Sequence, residues 1–134
     1  GFPTSPIIAN LAATDMDKYI VEKFKCDNMY VVYTRYADDM SFSYNDIYHE
    51  KVRDIVEEAV SKHDFQINHD KTRLYYALSG NRIITGVALK GFGPTNFILS
   101  TRKTKHRLRA AIHHGNLRQI KGLNEWMKLK NPAT

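Results

Sequence analysis

The stretch that decides the fold runs from Met29 to Tyr44 and reads MYVVYTRYADDMSFSY. Its first half is rich in β-branched and aromatic residues, and its last five residues alternate apolar side chains with serines. Both patterns are typical of β-strands. The stretch therefore predicts a β-hairpin whose tip carries two adjacent carboxylates, Asp38 and Asp39.

Two adjacent aspartates can serve one site only under a geometric condition. Successive side chains on a strand face opposite sides, so the pair must be re-aimed by a tight turn, which Asp tolerates well. Like charges this close repel each other unless a cation lies between them. Mg²⁺ suits oxygen ligands and usually works with one or two carboxylates plus substrate phosphates. The pair points to phosphoryl transfer, and the alternative is an acidic tip that only aids solubility.

Length and composition exclude several classes of protein. The chain has 134 residues, of which 43% are apolar, and this fits one domain with a real core. It has no apolar run near the roughly 18 residues of a membrane span, and its first residues lack the pattern of a signal peptide. We expect a cytoplasmic protein without a membrane partner. The single cysteine, Cys26, cannot form an internal disulfide, and its polar neighbours Lys25 and Asp27 indicate a surface or half-buried thiol without a metal partner.

The positive charge is concentrated at the C-terminal end. Residues 1–100 hold 11 lysines and arginines against 13 acidic residues, whereas residues 101–134 hold 9 against 1. Such asymmetry favours contact with nucleic acid or a membrane surface at that end. A merely solvated helical face is the alternative.

Before residue 100, helical and strand patterns alternate. Apolar spacing predicts a helix from Pro6 to Phe24, capped by Ser5, and a second helix that follows a cap at Asn45 and Asp46 and extends to His63. The predicted strands are Phe65–Asn68, Thr72–Leu78, Arg82–Lys90 and Thr95–Leu99, with turns at residues 79–81 and 91–94. These elements predict an α+β fold in which two helices cover one face of an antiparallel sheet.

The last third of the chain has a different pattern. Ser100 or Thr101 can cap a basic helix with a narrow apolar stripe, and Gly115 ends that helix. The stripe consists of Leu108, Ala111 and Ile112. Another helix is predicted over Leu117–Lys130. We therefore expect one unit over residues 1–100 and a small helical unit over residues 101–134.

Five short blocks, taken together in their order and spacing, resemble the reverse transcriptases, and most closely the bacterial retron type. Arg35 with the serine-rich run after the aspartates, and the late ITG block, favour the retron type over the group II intron type. The blocks are GFPTSP at residues 1–6, NL at 10–11, YTRYADDMSFS at 33–43, IN with KT at 67–72, and ITG at 84–86.

The resemblance implies an RNA-directed DNA polymerase, with a partial palm over residues 1–100 and the start of a thumb beyond. Members of the family carry a further metal-binding aspartate on an earlier strand. That strand is not in this sequence, so we expect a piece of a longer enzyme that is inactive in isolation. The alternatives are a non-catalytic nucleic-acid-binding palm module and a group II intron-like enzyme.

The resemblance also implies roles for residues near the tip. Asp38 is the main metal ligand and Asp39 the second, for Mg²⁺ (two ions in the complete enzyme) or alternatively Mn²⁺. Lys71 is placed near the triphosphate as a catalytic cation, although a lone loop lysine is normally only solvated. The nucleotide pocket is formed by Pro3, Thr4, Ser5, Tyr36 and Ala37, with Tyr36 as a packed strand aromatic in the alternative reading.

Further residues are expected to contact primer and template. Gly86, in a second hairpin, matches the element that grips the primer, where little side-chain bulk is allowed. The implied partners are an RNA template, a DNA primer and deoxynucleoside triphosphates, and in the retron case a structured non-coding RNA. The residues expected to follow the template–primer phosphates are Arg102, Lys103, Lys105, Arg107 and Arg109.

Overall fold

The computed structural model describes residues 4–78, 80–91 and 97–128. The chain divides into two compact units, Gly1–Thr72 and Arg73–Thr134, which are described separately below. In the part that the structure describes, no helix is both long and apolar enough to cross a membrane. The division into a palm and a thumb at residue 100 stays a prediction.

The first unit is built from three helices and a hairpin. Acidic side chains in the first turn and basic ones in the last turn of the second helix complement the helix dipole. The elements are α1 (Ser5–Ala12), α2 (Thr14–Cys26), β1 (Val32–Tyr36), β2 (Asp39–Ser43), a 3₁₀ turn (Asp46–Tyr48) and α3 (His49–Lys62).

The helix predicted from Pro6 to Phe24 is divided in two at Ala13. The Thr14 hydroxyl donates a hydrogen bond to the Asn10 carbonyl at 2.9 Å. This kind of bond to the preceding turn often bends a helix. The predicted Ser5 cap is also wrong, because Ser5 is the first helical residue and Thr4 precedes it without a side-chain capping bond.

The core of the first unit lies between α2 and α3. Both helices belong to one hydrophobic cluster with the half-buried Tyr33, Met40 and Phe42 of the hairpin, as predicted for two helices on one sheet face. The rings of Phe24 and Phe42 meet edge to face with centroids 6.2 Å apart. The buried members are Ala13, Met16, Ile20, Phe24, Met29, Val52, Ile55, Val56, Ala59 and Val60.

Two local predictions in this unit need correction. Asn45 makes no side-chain capping bond, and α3 begins three residues after Asp46, through the 3₁₀ turn. Residues 65–68 are not a strand. The Phe65 amide instead donates to the Val60 carbonyl at 3.0 Å, which holds this segment against the end of α3.

The second unit is a three-stranded antiparallel sheet with two helices. The strands pair in chain order, and Thr101 caps the first helix of this unit through its hydroxyl, which accepts from the Thr104 amide. Gly115, at φ +64°, follows the end of that helix as predicted. The elements are β3 (Arg82–Ile84), β4 (Val87–Lys90), β5 (Phe97–Ser100), α4 (Arg102–His113) and α5 (Leu117–Met127).

The strand predicted over Arg82–Lys90 is in fact a hairpin. It turns at Thr85 and Gly86, which both have positive φ, and such a two-residue turn matches the twist of the flanking strands. The strand predicted over Thr72–Leu78 is absent, since the described residues 72–78 are coil and turn. The α+β class and the antiparallel pairing are confirmed, but the strands form two separate sheets where one was predicted. Ser79, residues 92–96 and Leu129 onward lie outside the described residues.

Candidate active site

The hairpin of the first unit closes through a turn of two residues. Tyr36 pairs with Asp39, so Ala37 and Asp38 form the turn itself. Ala37 has φ +53°, a left-handed conformation that is uncommon for residues with a Cβ atom. The prediction of Asp38 and Asp39 at a hairpin tip is confirmed, with Asp38 in the turn and Asp39 as the first residue of β2.

The two carboxylates are exposed and available. Within residues 4–78, 80–91 and 97–128, neither Asp38 nor Asp39 has a side-chain hydrogen bond or ion pair. Two unengaged carboxylates at one hairpin tip fit Mg²⁺, which keeps several waters and takes one or two protein carboxylates. No group of three His, Cys, Asp or Glu side chains suitable for a metal occurs in the described part of the chain. The donor chemistry fits the ion, but the described residues supply two carboxylates.

Arg35 lies directly behind the tip and is only 11% exposed. Its guanidinium contacts both carboxylate oxygens of Asp17, through Nε at 3.0 and 3.1 Å and through Nη2 at 2.8 Å. Its Nη1 donates to the Ala37 carbonyl at 2.8 Å and to Asn10 Oδ1 at 3.0 Å. The Tyr33 hydroxyl donates to Asp17 Oδ1 at 2.6 Å. These contacts join the turn to α1 and α2.

The charges of this network are mutually stabilised. Burial alone would raise the pKa of Asp17, but hydrogen bonds from Arg35 and Tyr33 and the charge of Arg35 together lower it. The hydrogen bonds that Arg35 donates to Asp17 raise the pKa of Arg35 above its ordinary value. Burial first, and then the bond to Asp17, raises the pKa of Tyr33. At neutral pH the network therefore consists of an ion pair with a neutral phenol.

The predicted nucleotide-pocket residues occupy two places in the first unit. Tyr36 is 74% exposed, so it is not a packed strand aromatic, and it adjoins Ala37 at the tip. Thr4 and Ser5 lie at the start of α1, and Asn10 of the same helix contacts Arg35. Pro3 lies outside the described residues. One helix thus links the predicted pocket to the carboxylate turn.

Lys71 lies on an exposed turn that follows Ile67. Its amide donates to the Asn68 carbonyl at 3.1 Å, which shapes the turn. Among the described residues no hydrogen bond or ion pair joins Lys71 to Asp38 or Asp39. Its proximity to a triphosphate stays a prediction.

Gly86 lies in the second unit, at the turn between β3 and β4. Its φ of +82° favours glycine, and a Cβ atom at this position would meet nothing within 4 Å. Within the described chain, the positive φ therefore accounts for this glycine by itself, and the limit on side-chain bulk beside a bound primer stays a prediction. The primer contact stays a prediction.

The predicted phosphate-contacting residues are all exposed on α4. Thr104, Leu108 and Ala111 form its inner face, while Ile112 of the predicted apolar stripe is 58% exposed. Arg102, Lys105 and Arg109 recur at helical spacing and are exposed, as are Lys103 and Arg107. The helix therefore presents a continuous basic surface.

Arg35, Asp17 and Tyr33 are not among the functional residues that the sequence predicts. A signal for them was present, because Tyr33 and Arg35 alternate on the strand face that also carries apolar side chains. An arginine on an inward face requires a carboxylate partner. Asp17 lies next to Met16 on the apolar side of α2 and is that partner.

Comparison with known proteins identifies the family. The family model described as "Reverse transcriptase (RNA-dependent DNA polymerase)" matches residues 1–121. The Retron Mx65 reverse transcriptase of Myxococcus xanthus is 31% identical over 98% of this chain, and the Retron Mx162 enzyme of the same organism is 31% identical over 99%. The Retron Ec73 reverse transcriptase of Escherichia coli is 36% identical over 65% of the chain.

No solved structure matches the chain. The chain spans only about 31% of the length of the two Myxococcus xanthus relatives and 29% of the Escherichia coli one. The match to the family model covers most of the chain, including the carboxylate tip. The chain therefore belongs to the reverse transcriptase family and is of the retron type.

Proposed function

We propose that this chain is part of a longer RNA-directed DNA polymerase and carries two of its metal-binding carboxylates. The observation that supports this most strongly is the turn of Ala37 and Asp38, which presents Asp38 and Asp39 to solvent without any partner from the described residues. Two adjacent carboxylates repel each other, and a bound cation relieves that repulsion. Addition of deoxynucleotides to a primer 3′ end needs such a cation.

Asp38 and Asp39 would hold Mg²⁺, with Mn²⁺ as a substitute. Two bound ions would stabilise the attacking and leaving oxygens in the transfer of a nucleotidyl group. The chain's own residues bind and orient the reactants. Exposed Tyr36 supports the primer end, and Ala37 leaves room for the sugar of the incoming nucleotide.

The start of α1 and the turn of Lys71 serve the triphosphate. Free amides at a helix N-terminus favour anions, and Thr4 and Ser5 lie at that end of α1. Lys71 supplies an exposed positive charge that can neutralise the leaving pyrophosphate. Pro3 completes this pocket in the proposal.

The basic surface of α4 binds the RNA template and the DNA primer through their phosphates. In a retron enzyme, the template is part of a structured non-coding RNA. The Thr85–Gly86 turn of the second unit contacts the primer. A second function, nucleic-acid binding without catalysis, is favoured for these 134 residues alone, because their described part has no third metal-binding carboxylate.

The test is primer extension by the full-length enzyme. Asp38→Asn should reduce the rate by about 10³-fold or more, since metal-based charge stabilisation contributes several kcal/mol. Asp46→Asn, which changes an exposed aspartate away from the tip, is the matched control and should retain the rate. The 134-residue chain alone should not extend a primer. An active Asp38→Asn enzyme, or robust extension by the isolated chain, would contradict the proposal.

A further inference from the structure

We propose that Arg35 is a positioning residue that holds the turn carrying Asp38 in its metal-binding conformation. This inference rests on the proposed function of the tip. Arg35 restrains one backbone group, the Ala37 carbonyl, to which its Nη1 donates a hydrogen bond at 2.8 Å. Arg35 itself touches neither metal nor substrate in this proposal.

The turn needs support from outside. Ala37 adopts φ +53°, and this left-handed conformation is unfavourable for a residue that carries a Cβ atom. Residues in such conformations persist when the surrounding structure holds them there, and they cluster at functional sites. The Arg35 bond to the Ala37 carbonyl supplies that restraint at the residue that needs it.

Arg35 is itself held in place. Asp17 accepts from both Nε and Nη2, and the planar guanidinium fixes the direction of Nη1 once these two bonds are made. The Tyr33 hydroxyl holds Asp17 at 2.6 Å. Asp17 belongs to α2, and Met16 and Ile20 of the same helix are buried. The restraint on the turn is thus transmitted from the packed core of the first unit.

The same nitrogen couples the turn to α1. Nη1 of Arg35 donates to Asn10 Oδ1 as well as to the Ala37 carbonyl. Asn10 lies on the short helix that begins with Ser5 of the predicted nucleotide pocket. A displacement of α1 would therefore alter a contact of the arginine that holds the turn.

A lysine cannot replace this arrangement. Lysine keeps the charge and can pair with Asp17, but its single ammonium lacks the rigid fork that reaches Asp17, Ala37 and Asn10 together. Arg35→Lys is therefore the informative variant in the full-length enzyme. Arg53→Lys is the matched control, because Arg53 also forms ion pairs, but on the exposed side of α3.

The first measurement is hydrogen exchange of the backbone amides. Arg35→Lys should accelerate exchange in peptides covering residues 36–40, and leave exchange in α3 unchanged. Arg53→Lys should leave residues 36–40 unchanged. Unaltered exchange at the tip would overturn the proposal. Equal acceleration in α3 would also overturn it, because it would indicate that Arg35 has a general structural role.

The second measurement is the affinity of the full-length enzyme with primer–template for Mn²⁺. The electron paramagnetic resonance signal of free Mn²⁺ reports how much of the ion stays unbound. Loss of a group that orients metal ligands typically weakens metal binding by about 10- to 100-fold, so Arg35→Lys should weaken it by at least about tenfold. Unchanged Mn²⁺ affinity would overturn the positioning role. If Asp38→Asn also leaves Mn²⁺ affinity unchanged, the proposed function fails separately.

A milder variant covers the case in which Arg35→Lys does not fold. Asn10→Ala removes one acceptor of Nη1 at an exposed helical position. It should change exchange at residues 36–40 and Mn²⁺ affinity in the same directions as Arg35→Lys, by smaller factors. No change in either quantity would overturn the coupling of α1 to the turn.

Discussion

The two units of the chain differ in how much of their apolar surface they bury. Of the twelve buried hydrophobic residues among those described, ten belong to the first unit, and only Ala88 and Ala111 belong to the second. Both units leave some large apolar side chains exposed, such as Leu11 at 70% in the first and Leu78 at 91% in the second, so the difference lies in the buried set. The first unit is therefore the better packed of the two.

The units also carry opposite charge. Residues 1–72 contain 8 lysines and arginines against 13 acidic residues, whereas residues 73–134 contain 12 against 1. The carboxylates proposed for catalysis lie in the acidic, packed unit, and the proposed phosphate contacts lie in the basic one. Metal ligands need precise support from a rigid frame, while phosphate binding tolerates mobile side chains. We therefore expect the first unit to supply the chemistry and the second to supply the affinity for nucleic acid.

The largest expected effect tests the difference in packing. Ile20 is fully buried in the first unit, so Ile20→Ala should cost about 3 kcal/mol, through lost transfer energy and a residual cavity. In the full-length enzyme this should lower hydrogen-exchange protection of α2 and α3 about 100-fold. The measurement is native-state exchange of those helices.

The matched control lies in the second unit. Ile83 is 49% exposed, so Ile83→Ala should lower protection of the β3-β4 pair much less. Equal losses for the two variants would mean that the second unit has a core of similar quality. The contrast in packing would then be wrong.

The helical core was predictable from the sequence because its periodicity is strong. Met16, Ile20 and Phe24 recur at helical spacing in α2, and all three are buried. The hairpin before α3 was predictable as well, since strand patterns flank two aspartates, a residue type that tight turns tolerate.

Local backbone events were not predictable in the same way. The division at Ala13 depends on a hydroxyl bond from Thr14 that no apolar pattern reveals. The strand pattern of residues 82–90 is continuous, yet Thr85 and Gly86 turn the chain back, with φ of +45° and +82°. A Thr-Gly pair within β-branched neighbours gives only a weak turn signal.

The reactive groups of the candidate site were predictable from the sequence, but the contacts that hold them in place were not. Asp38 and Asp39 stand out as adjacent carboxylates, and their position at the tip is confirmed. The contact of Arg35 with Asp17 joins residues 18 positions apart, and it depends on how α2 packs on the hairpin. Sequence spacing alone does not specify that packing.

The second prediction tests the difference in charge. Replacing Arg102, Lys105 and Arg109 with Ala should weaken primer–template binding by the full-length enzyme. The log–log slope of affinity against salt should flatten by up to about three units, since each phosphate contact contributes roughly −0.9. Between 50 and 200 mM salt, the triple variant should therefore lose about 40-fold less affinity than the wild type does. Binding titrations at several salt concentrations measure it.

The control triple removes the same charge from the first unit. Lys18, Lys25 and Arg53 are largely exposed there, and their replacement with Ala should leave the slope nearly unchanged. Asp38→Asn should also leave it unchanged. If the α4 triple gave the wild-type slope, α4 would be only a solvated face, and the phosphate contacts would lie elsewhere.

The smallest expected effect concerns the ion pair behind the tip. Although burial opposes it, bonding to Arg35 and Tyr33 lowers the pKa of Asp17 from its ordinary value of 3.8. A carboxylate that is more acidic in the folded state stabilises that state above its unfolded pKa, and this contribution is lost as pH falls through the folded pKa. Exchange protection of the β1-β2 hairpin, corrected for the intrinsic pH dependence of exchange, should therefore exceed that of Asp17→Asn at about pH 6. The gap should close below about pH 4. Asp46→Asn should match the wild type at both pH values, and a gap for Asp17→Asn that persists in acid would show that Asp17 supports the hairpin by packing and not by its charge.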